Sequence, residues 1–468
     1  MLTFFRINAL FQILSLMTVL FLIKSRFLSI PSPLLTTELE WILLGEKIVE
    51  GKTLYQEIIT QISPLAAYFY AFFYSLFGRD FQTMELVALF IGLFQALYFT
   101  YITQVRQVFS EKNYLPGIIY LVALHACFDM NKISPALVGN IFILMTINHV
   151  IKQLEYKQGV KDDIIEVGIY LGIATLFYQP YWVLLFWVII SLFMFSSMNA
   201  RQLLLLLIGF SLPTLAFILY YYFSDNTGFS TIWLQNFLQF KLFPSQDWIS
   251  IFRSFALFAF LLIAGVLRML KGTRYSNYQV RVQQTLLILG IFSGLTIFIA
   301  PAATPMYLVV LLPVFAFFIT GLFIHLKGTL LPELYFLLFI LTSLFIYFQG
   351  AGPLIGNGFQ ELAHRRLATS QLPEVFKGQR VLILGSNIAE YQDAEVATQY
   401  LDWSLAKNIF EEVNNYESLV TVFDTFSSDP PTIVIDKINL MPTLMKKIPL
   451  LKRKYTALEK YPGYYQLR

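Results

Sequence analysis

Residues 36–69 read TTELEWILLGEKIVEGKTLYQEIITQISPLAAYF. Glu38, Glu40, Glu46, Glu50 and Glu57 stand here among Trp, Leu and Ile, close behind a first apolar segment at Ile7 to Ile23. Elsewhere charge is scarce. Only 13% of the 468 residues are charged, 57% are hydrophobic and 17% aromatic, whereas soluble domains carry roughly 25% charged residues. The fold turns on which side of a membrane this acidic stretch lies, and on whether the aromatic segment that ends it crosses.

Apolar segments recur near 7–23, 63–78, 82–103, 116–128, 135–150, 164–178, 181–198, 202–223, 251–270, 285–300, 307–325 and 329–347. Repeats of this length define an all-α polytopic membrane protein with about 11–12 transmembrane helices over residues 1–350. Arg26-Phe27-Leu28 follows the first segment in place of a small-residue cleavage site, so that segment reads as a retained span. From about Gln371 the composition becomes that of ordinary globular sequence. Val381 to Leu384 and Thr432 to Ile435 read there as buried strands, giving a small α/β soluble domain over 371–468. Gly385-Ser386-Asn387 follows the first strand without a phosphate-binding glycine motif, which argues against a nucleotide site.

The net charge of +4 is small and its cations lie between spans, a pattern of topology signals and not of a nucleic-acid surface. Lysine and arginine concentrate in 104–115, 151–163, 199–201, 271–284 and 326–328, which places those loops in the cytoplasm. Loops 129–134, 224–250 and 301–306 and the C-terminal domain then lie outside. Carried back to the start, this count leaves two readings. If every segment crosses, 24–62 is cytoplasmic. If 63–78 is a juxtamembrane or re-entrant helix, 24–80 is an external loop, the N-terminus is inside and eleven helices cross. The segment is short, opens at Ser63-Pro64 and is rich in Tyr and Phe, which favours the second reading. Lys24 and Arg26, directly behind the first span, favour the first.

Cys127 is the only cysteine, so an intrachain disulfide is excluded. His125, His149, His325 and His364 are dispersed, without metal-ligand spacing. Thr36 and Thr37 are candidate N-caps, and Glu40 stands three residues after Thr37, as in a capping box. Residues 37–50 therefore read as an amphipathic surface helix. Glu38 and Glu40 then serve the helix dipole, and Glu46 and Glu50 lie on the solvated face. Carboxylates at the rim of a membrane cavity also act as general bases or metal ligands, and spacing does not separate these roles.

The order TELEW, LLGEKIVEGKTLYQEI, SPLAAYFYAFFYSLFGRD resembles the opening of the GT-C membrane glycosyltransferases, including the protein O-mannosyltransferases and lipid A aminoarabinose transferases. Gly51, Leu54-Tyr55, Glu57, Pro64-Leu65 and Phe77-Gly78 occupy the places of that family's opening phrases. CFDMNKISPALVGNIFILM is similar to its second external loop and GIYLGIATLFYQPYWVLL to its "G…GLA.L.K.P" stretch. VLILGSNIAEYQ, DPPTIVID and KYTALEKYPGYYQLR continue the likeness into a small external domain. Two departures stand out. The family's acid is usually Asp, here Glu38-Leu39-Glu40, and its lysine is replaced by Tyr178 or Gln179.

The resemblance implies sugar transfer from a polyprenyl-phosphate donor to a glycan, lipid or protein acceptor at the external face of a bacterial inner membrane. It needs no resident cofactor and at most a divalent metal. Glu40 is the first candidate base and Glu38 the second. Asp129 would position the acceptor or hold a cation, or else it is a helix-end turn residue beside Asn131 and Ser134. Lys132, Arg79, Lys241 and Arg253 are the candidate cations for the departing phosphate, with snorkelling as their plain alternative. Tyr178, Gln179 and Tyr181 would line the cavity. The loop at 226–248, with Trp233, Phe237, Phe240, Phe243 and Trp248, would cover it or anchor at the interface. The alternative class is a non-enzymatic multi-pass protein, an envelope-complex subunit or transporter.

Overall fold

The computed structural model describes residues 34–127, 129–155, 163–226, 228–234, 248–270, 275–300, 304–326, 330–351, 367, 372–412 and 414–468, with isolated residues of the first segment. Two short helices lead, α1 (Thr36–Val49) and α2 (Pro64–Phe77). The bundle follows: α3 (Phe81–Val105), α4 (Leu115–Leu124), α5 (Pro135–Leu154), α6 (Ile164–Phe177), α7 (Leu184–Phe195), α8 (Ala200–Phe223), α9 (Trp248–Leu270), α10 (Asn277–Leu295), α11 (Leu312–Ile324) and α12 (Leu330–Ala351). Each apolar segment expected from 63–78 onward has its helix. The first segment lies largely outside the described residues. Among the described residues, five helical stretches, at 81–105, 135–154, 200–223, 277–298 and 305–324, are long and apolar enough to cross a bilayer, and this is an integral membrane protein.

A polar group away from water is stabilised by finding a partner, and three helices of the bundle share such a network. Tyr120 on α4 donates to Gln95 Oε1 on α3 at 2.6 Å, Asn140 on α5 donates to the same oxygen at 3.1 Å, and Gln95 Nε2 reaches Leu137 O at 2.6 Å. This polar knot ties three helices together. Close packing ties two more. A Cβ on Gly209 of α8 would sit 2.3 Å from Ile165 O on α6, and one on Gly168 of α6 would sit 2.3 Å from Leu206 O. The glycines let two backbones touch, as small residues do between membrane helices.

The C-terminal sheet has the order β2-β1-β3-β5-β4. Its strands are β1 (Arg380–Leu384), β2 (Glu395–Val396), β3 (Ile433–Asp436), β4 (Tyr455–Ala457) and β5 (Tyr464–Leu467). β1 runs parallel to β2 and β3, while β5 is antiparallel to β3 and β4. The helices α13 (Trp403–Glu411), α14 (Tyr416–Ser428), α15 (Met441–Lys447) and α16 (Pro449–Lys454) complete the unit. Val381, Val434 and Ile433 are fully buried, in keeping with the two strand segments read from sequence.

The first loop holds this unit. Arg79, directly after α2, grips Glu46 of α1 through Nε at 2.6 Å and Nη2 at 2.7 Å. Its Nη1 donates to Tyr391 O at 2.7 Å, Ala394 O at 3.0 Å and Gln392 O at 3.3 Å. Before α2, Ile59 N–H donates to Gln399 O at 2.8 Å, and Lys52 meets Asp429 at 2.6 Å. Glu46 is therefore not on a solvated face, because Arg79 lies 33 residues on and its approach leaves no trace in helical spacing. Glu50 is exposed, as expected.

The long loop after α8 folds onto the same region. Asn226 Nδ2 donates to Leu54 O at 2.7 Å, and a wide π turn at Phe229–Leu234 buries Phe229 and Trp233. Phe229 stacks on Tyr221 at 4.7 Å and on Trp233 at 5.1 Å. Gly228 passes so close to Tyr55 O that no side chain fits there. Phe237, Phe240, Phe243 and Lys241 lie outside the described residues, as do the side chains of Trp248 and Arg253.

Two measurements test this packing. Gly209→Val should lower the melting temperature of purified protein, reflecting an overpacking cost of about 1–3 kcal/mol. Gly294→Ala, whose added methyl meets nothing, should leave it unchanged. Arg79→Lys cannot keep the two-toothed grip and the three carbonyl bonds at once. Faster amide exchange over residues 389–399 is the expected result, and unchanged exchange would remove Arg79 as the clamp.

Candidate functional site

The site begins with how α1 starts. Leu35 is extended (φ −93, ψ 147) and acts as N-cap, so the helix opens at Thr36. This shifts the expected capping frame by two residues. Glu38, not Glu40, reaches back to the cap, accepting from Leu35 N–H at 3.1 Å. Glu38 is 1% exposed. Burial pushes its carboxyl above the usual range, with Lys132 and the Leu35 N–H opposing.

Lys132 comes from the turn between α4 and α5. Its Nζ lies 3.2 Å from Glu38 Oε2 and 2.7 Å from Glu85 Oε1, near the start of α3. Burial alone would lower the lysine, yet the two carboxylates more than offset it and hold the ammonium above its usual range. The turn itself is built from side chains. Asn131 donates to Leu124 O at 3.3 Å and Cys127 O at 3.1 Å, Ser134 caps α5 through Leu137 N–H, and Tyr70 OH donates to Ile133 O at 3.0 Å. Trp41 of α1 stacks on Tyr70 at 5.5 Å.

Asp129 opens this turn and accepts from Met306 N–H at 3.3 Å. Met306 belongs to the 3-10 turn Pro305–Leu311, which also carries Tyr307. Tyr307 stacks on Tyr178 with ring centroids 5.1 Å apart and planes within 9°. The hydroxyls of Tyr178 and Thr304 are buried and have no hydrogen-bond partner among the described residues, a costly state unless another group or water supplies one. Gln179 donates to Trp233 O at 3.4 Å and Tyr181 to Ala136 O at 2.9 Å, so both brace the loops around the site.

Sequence candidates thus fall into groups. Glu38, Asp129, Lys132 and Tyr178 converge on the region between α1, the 129–134 turn and the 305–311 turn. Arg79 is committed to Glu46 and the sheet unit. Glu40 lies two residues from Glu38, about 200° round a helix. It is partly buried and has Asp402 of the sheet unit as its electrostatic neighbour; burial first, and Asp402 second, push it well above the usual carboxylate range. Glu85, Thr304, Tyr70 and Tyr307 were not read from sequence. An acid near the start of a long apolar helix, as Glu85 is, was the one available signal. Among the described residues no three His, Cys, Asp or Glu side chains gather closely enough to hold a metal ion.

A helical membrane bundle with two juxtamembrane-length helices ahead of it and a small α/β unit behind it defines a GT-C-like fold. Comparison with known proteins agrees. The chain superposes on ArnT from Cupriavidus metallidurans, crystallised bound to undecaprenyl phosphate, with a TM-score of 0.55 over 92% of each chain at 12% identity. Residues 47–246 match a family described as a family of unknown function, DUF6427. No curated protein sequence matches.

Lys132→Met should be strongly destabilising, by about 3–5 kcal/mol, because it leaves two buried or half-buried carboxylates without a cation. Adding Glu38→Gln and Glu85→Gln should recover much of that loss in thermal unfolding. A triple variant no more stable than the single one would mean that the three do not act as a unit.

Proposed function

We propose that this chain is a membrane glycosyltransferase-like protein that moves a sugar from a polyprenyl-phosphate donor to an acceptor at the extracytoplasmic face, in a bacterial inner membrane. The observation that carries this reading is the buried Glu38–Lys132–Glu85 cluster beside Asp129 and the unpartnered Tyr178 and Thr304 hydroxyls. Its setting is a fold shared with a protein crystallised bound to undecaprenyl phosphate. Sidedness has support of its own. Contacts to the same sheet unit are made just before α2 by Ile59 and just after it by Arg79. A crossing helix would carry those contacts to opposite faces. We therefore read α2 as non-crossing, with the first loop and the C-terminal unit both outside and the N-terminus inside.

In this mechanism Lys132 is drawn from its glutamates toward the donor phosphate. Glu38, released, accepts the acceptor hydroxyl's proton as that oxygen attacks the anomeric carbon with inversion. The bond from anomeric carbon to phosphate oxygen breaks, and the lipid phosphate leaves with its charge met by Lys132. Asp129 orients the acceptor. Glu38 stands ahead of Glu40 as base because it shares the cluster with the only described cation there, while Glu40 faces the sheet unit. Lys241 and Arg253 have no part in this scheme.

A second reading, a non-enzymatic envelope-complex subunit, is favoured by one observation: Glu38 and Lys132 satisfy each other while nearly inaccessible, at 1% and 4% exposure. A transfer assay with purified protein and polyprenyl-phosphate sugars separates the two. Glu38→Gln should reduce transfer by roughly 10²-fold or more, with undecaprenyl-phosphate binding retained, and Glu40→Gln should change it only a few-fold. Transfer by Glu38→Gln at the wild-type rate would remove Glu38 as base. A folded wild type inactive with every donor would leave the subunit reading.

A further inference from the structure

The antiparallel pair α5 and α6 is pinned at the end away from the candidate site. α5 starts at Pro135, beside Ser134 and Lys132, and α6 ends at Phe177, just before Tyr178. About 21 Å along α5 from that start, His149 faces α6. Its Nε2 lies 3.0 Å from Glu166 Oε2, and its ring centroid lies 5.1 Å from that of Tyr170. One turn further along α5 and one turn back along α6, Lys152 pairs with Asp163. The two contacts are successive rungs of one seam, as residues three apart on each helix require. They differ in kind. A lysine keeps its charge through neutral pH, whereas a histidine gains and loses its own there.

The geometry fixes where the protons stand. His149 Nδ1 lies 2.9 Å from Met145 O. A carbonyl oxygen only accepts, so Nδ1 carries a hydrogen. Nε2 faces a carboxylate, which also only accepts, so this contact needs a second hydrogen on the ring. A neutral imidazole has one N–H and satisfies one of the two oxygens; the imidazolium satisfies both. Glu166 is half open to water, so protons reach the contact without crossing the bundle. The charged and polar groups around the seam hold one another. Lys152 pairs with Asp163, Arg106 at the end of α3 lies 3.5 Å from Glu155 and donates to Asn148 at 3.0 Å, and Tyr98 accepts from Asn148 at 3.3 Å. Gly168, which packs on α8, is two residues from Glu166 and about 200° round the helix, which sets the exposed Arg201 of α8 on another side of α6. Lys157, Lys161 and Asp162 of the connection lie outside the described residues.

We propose that the His149–Glu166 contact is a proton-dependent lock on the α5–α6 pair, closed by the imidazolium and released when the ring loses its proton. Its stabilisation is present at low pH and is lost as pH rises. The lock stands whether or not the chain transfers sugar, and its test needs no activity. Amide exchange is followed in the full chain in nanodiscs over residues 146–152 and 164–170. Glu166→Gln is compared with wild type at one pH, so that intrinsic exchange cancels. At about pH 5.5, below the ordinary imidazole range, the variant should exchange about two- to fivefold faster. At about pH 8.5 the ratio should fall to one or less. In a His149→Gln background the same substitution should change nothing at either pH. A ratio that is equal at both pH values, or that persists in the His149→Gln background, would overturn the lock. Nitrogen NMR of the full chain labelled at histidine gives a second reading, with His149→Gln identifying the signal. Two protonated ring nitrogens are expected at about pH 5.5, and a neutral ring there overturns the proposal whatever the exchange shows.

Discussion

An ammonium buried between two carboxylates is the constraint around which the first half of the chain is arranged. None of Glu38, Lys132 and Glu85 is well placed alone in a region this short of water, and each is tolerable only because the others are there. The demand fixes three elements at once: the start of α1, the turn before α5 and the start of α3. The side chains that shape the turn, Asn131, Ser134 and Tyr70, serve that placement. Their hydrogen bonds go to backbone groups that the turn would otherwise leave unpaired. Arg79 applies the same logic one layer out, with Glu46 as its counter-charge and three carbonyls filling its remaining donors.

The same constraint gives the cluster its chemical interest. A lysine shared by two acids can be withdrawn by a third anion at moderate cost, since the second acid still partners part of its charge. What is released is a carboxylate already raised in proton affinity by burial. In the proposed mechanism, the closed ion triad and a latent base are one arrangement, seen without and with a competing phosphate.

Much of the architecture was legible in the residues. Apolar segment length gave the bundle, and short apolar runs rich in Val and Ile gave β1 and β3, because both signals are local. The site was legible only in part. Glu38, Asp129 and Lys132 could be nominated as charges in an apolar chain, but their pairing joins positions 94 and 47 residues apart, and no periodicity encodes that. The capping frame moved because Thr37, a good cap by residue type, lost to the backbone at Leu35. Glu46 was misplaced for a related reason: helical spacing shows which face is apolar, not which polar residue will be met by an arginine from the next loop.

The grip of Arg79 on Tyr391, Gln392 and Ala394 also has a meaning in time. Its partners lie 312 to 315 residues downstream. At about 5–20 residues per second, a ribosome needs roughly 15–60 s to supply them. During that interval the bundle is threaded into the bilayer with its first loop uncapped, and Arg79 has only Glu46 for company. Only when the last hundred residues are made can the Arg79 contacts and the Ile59–Gln399 bond form and the first loop be covered on that side.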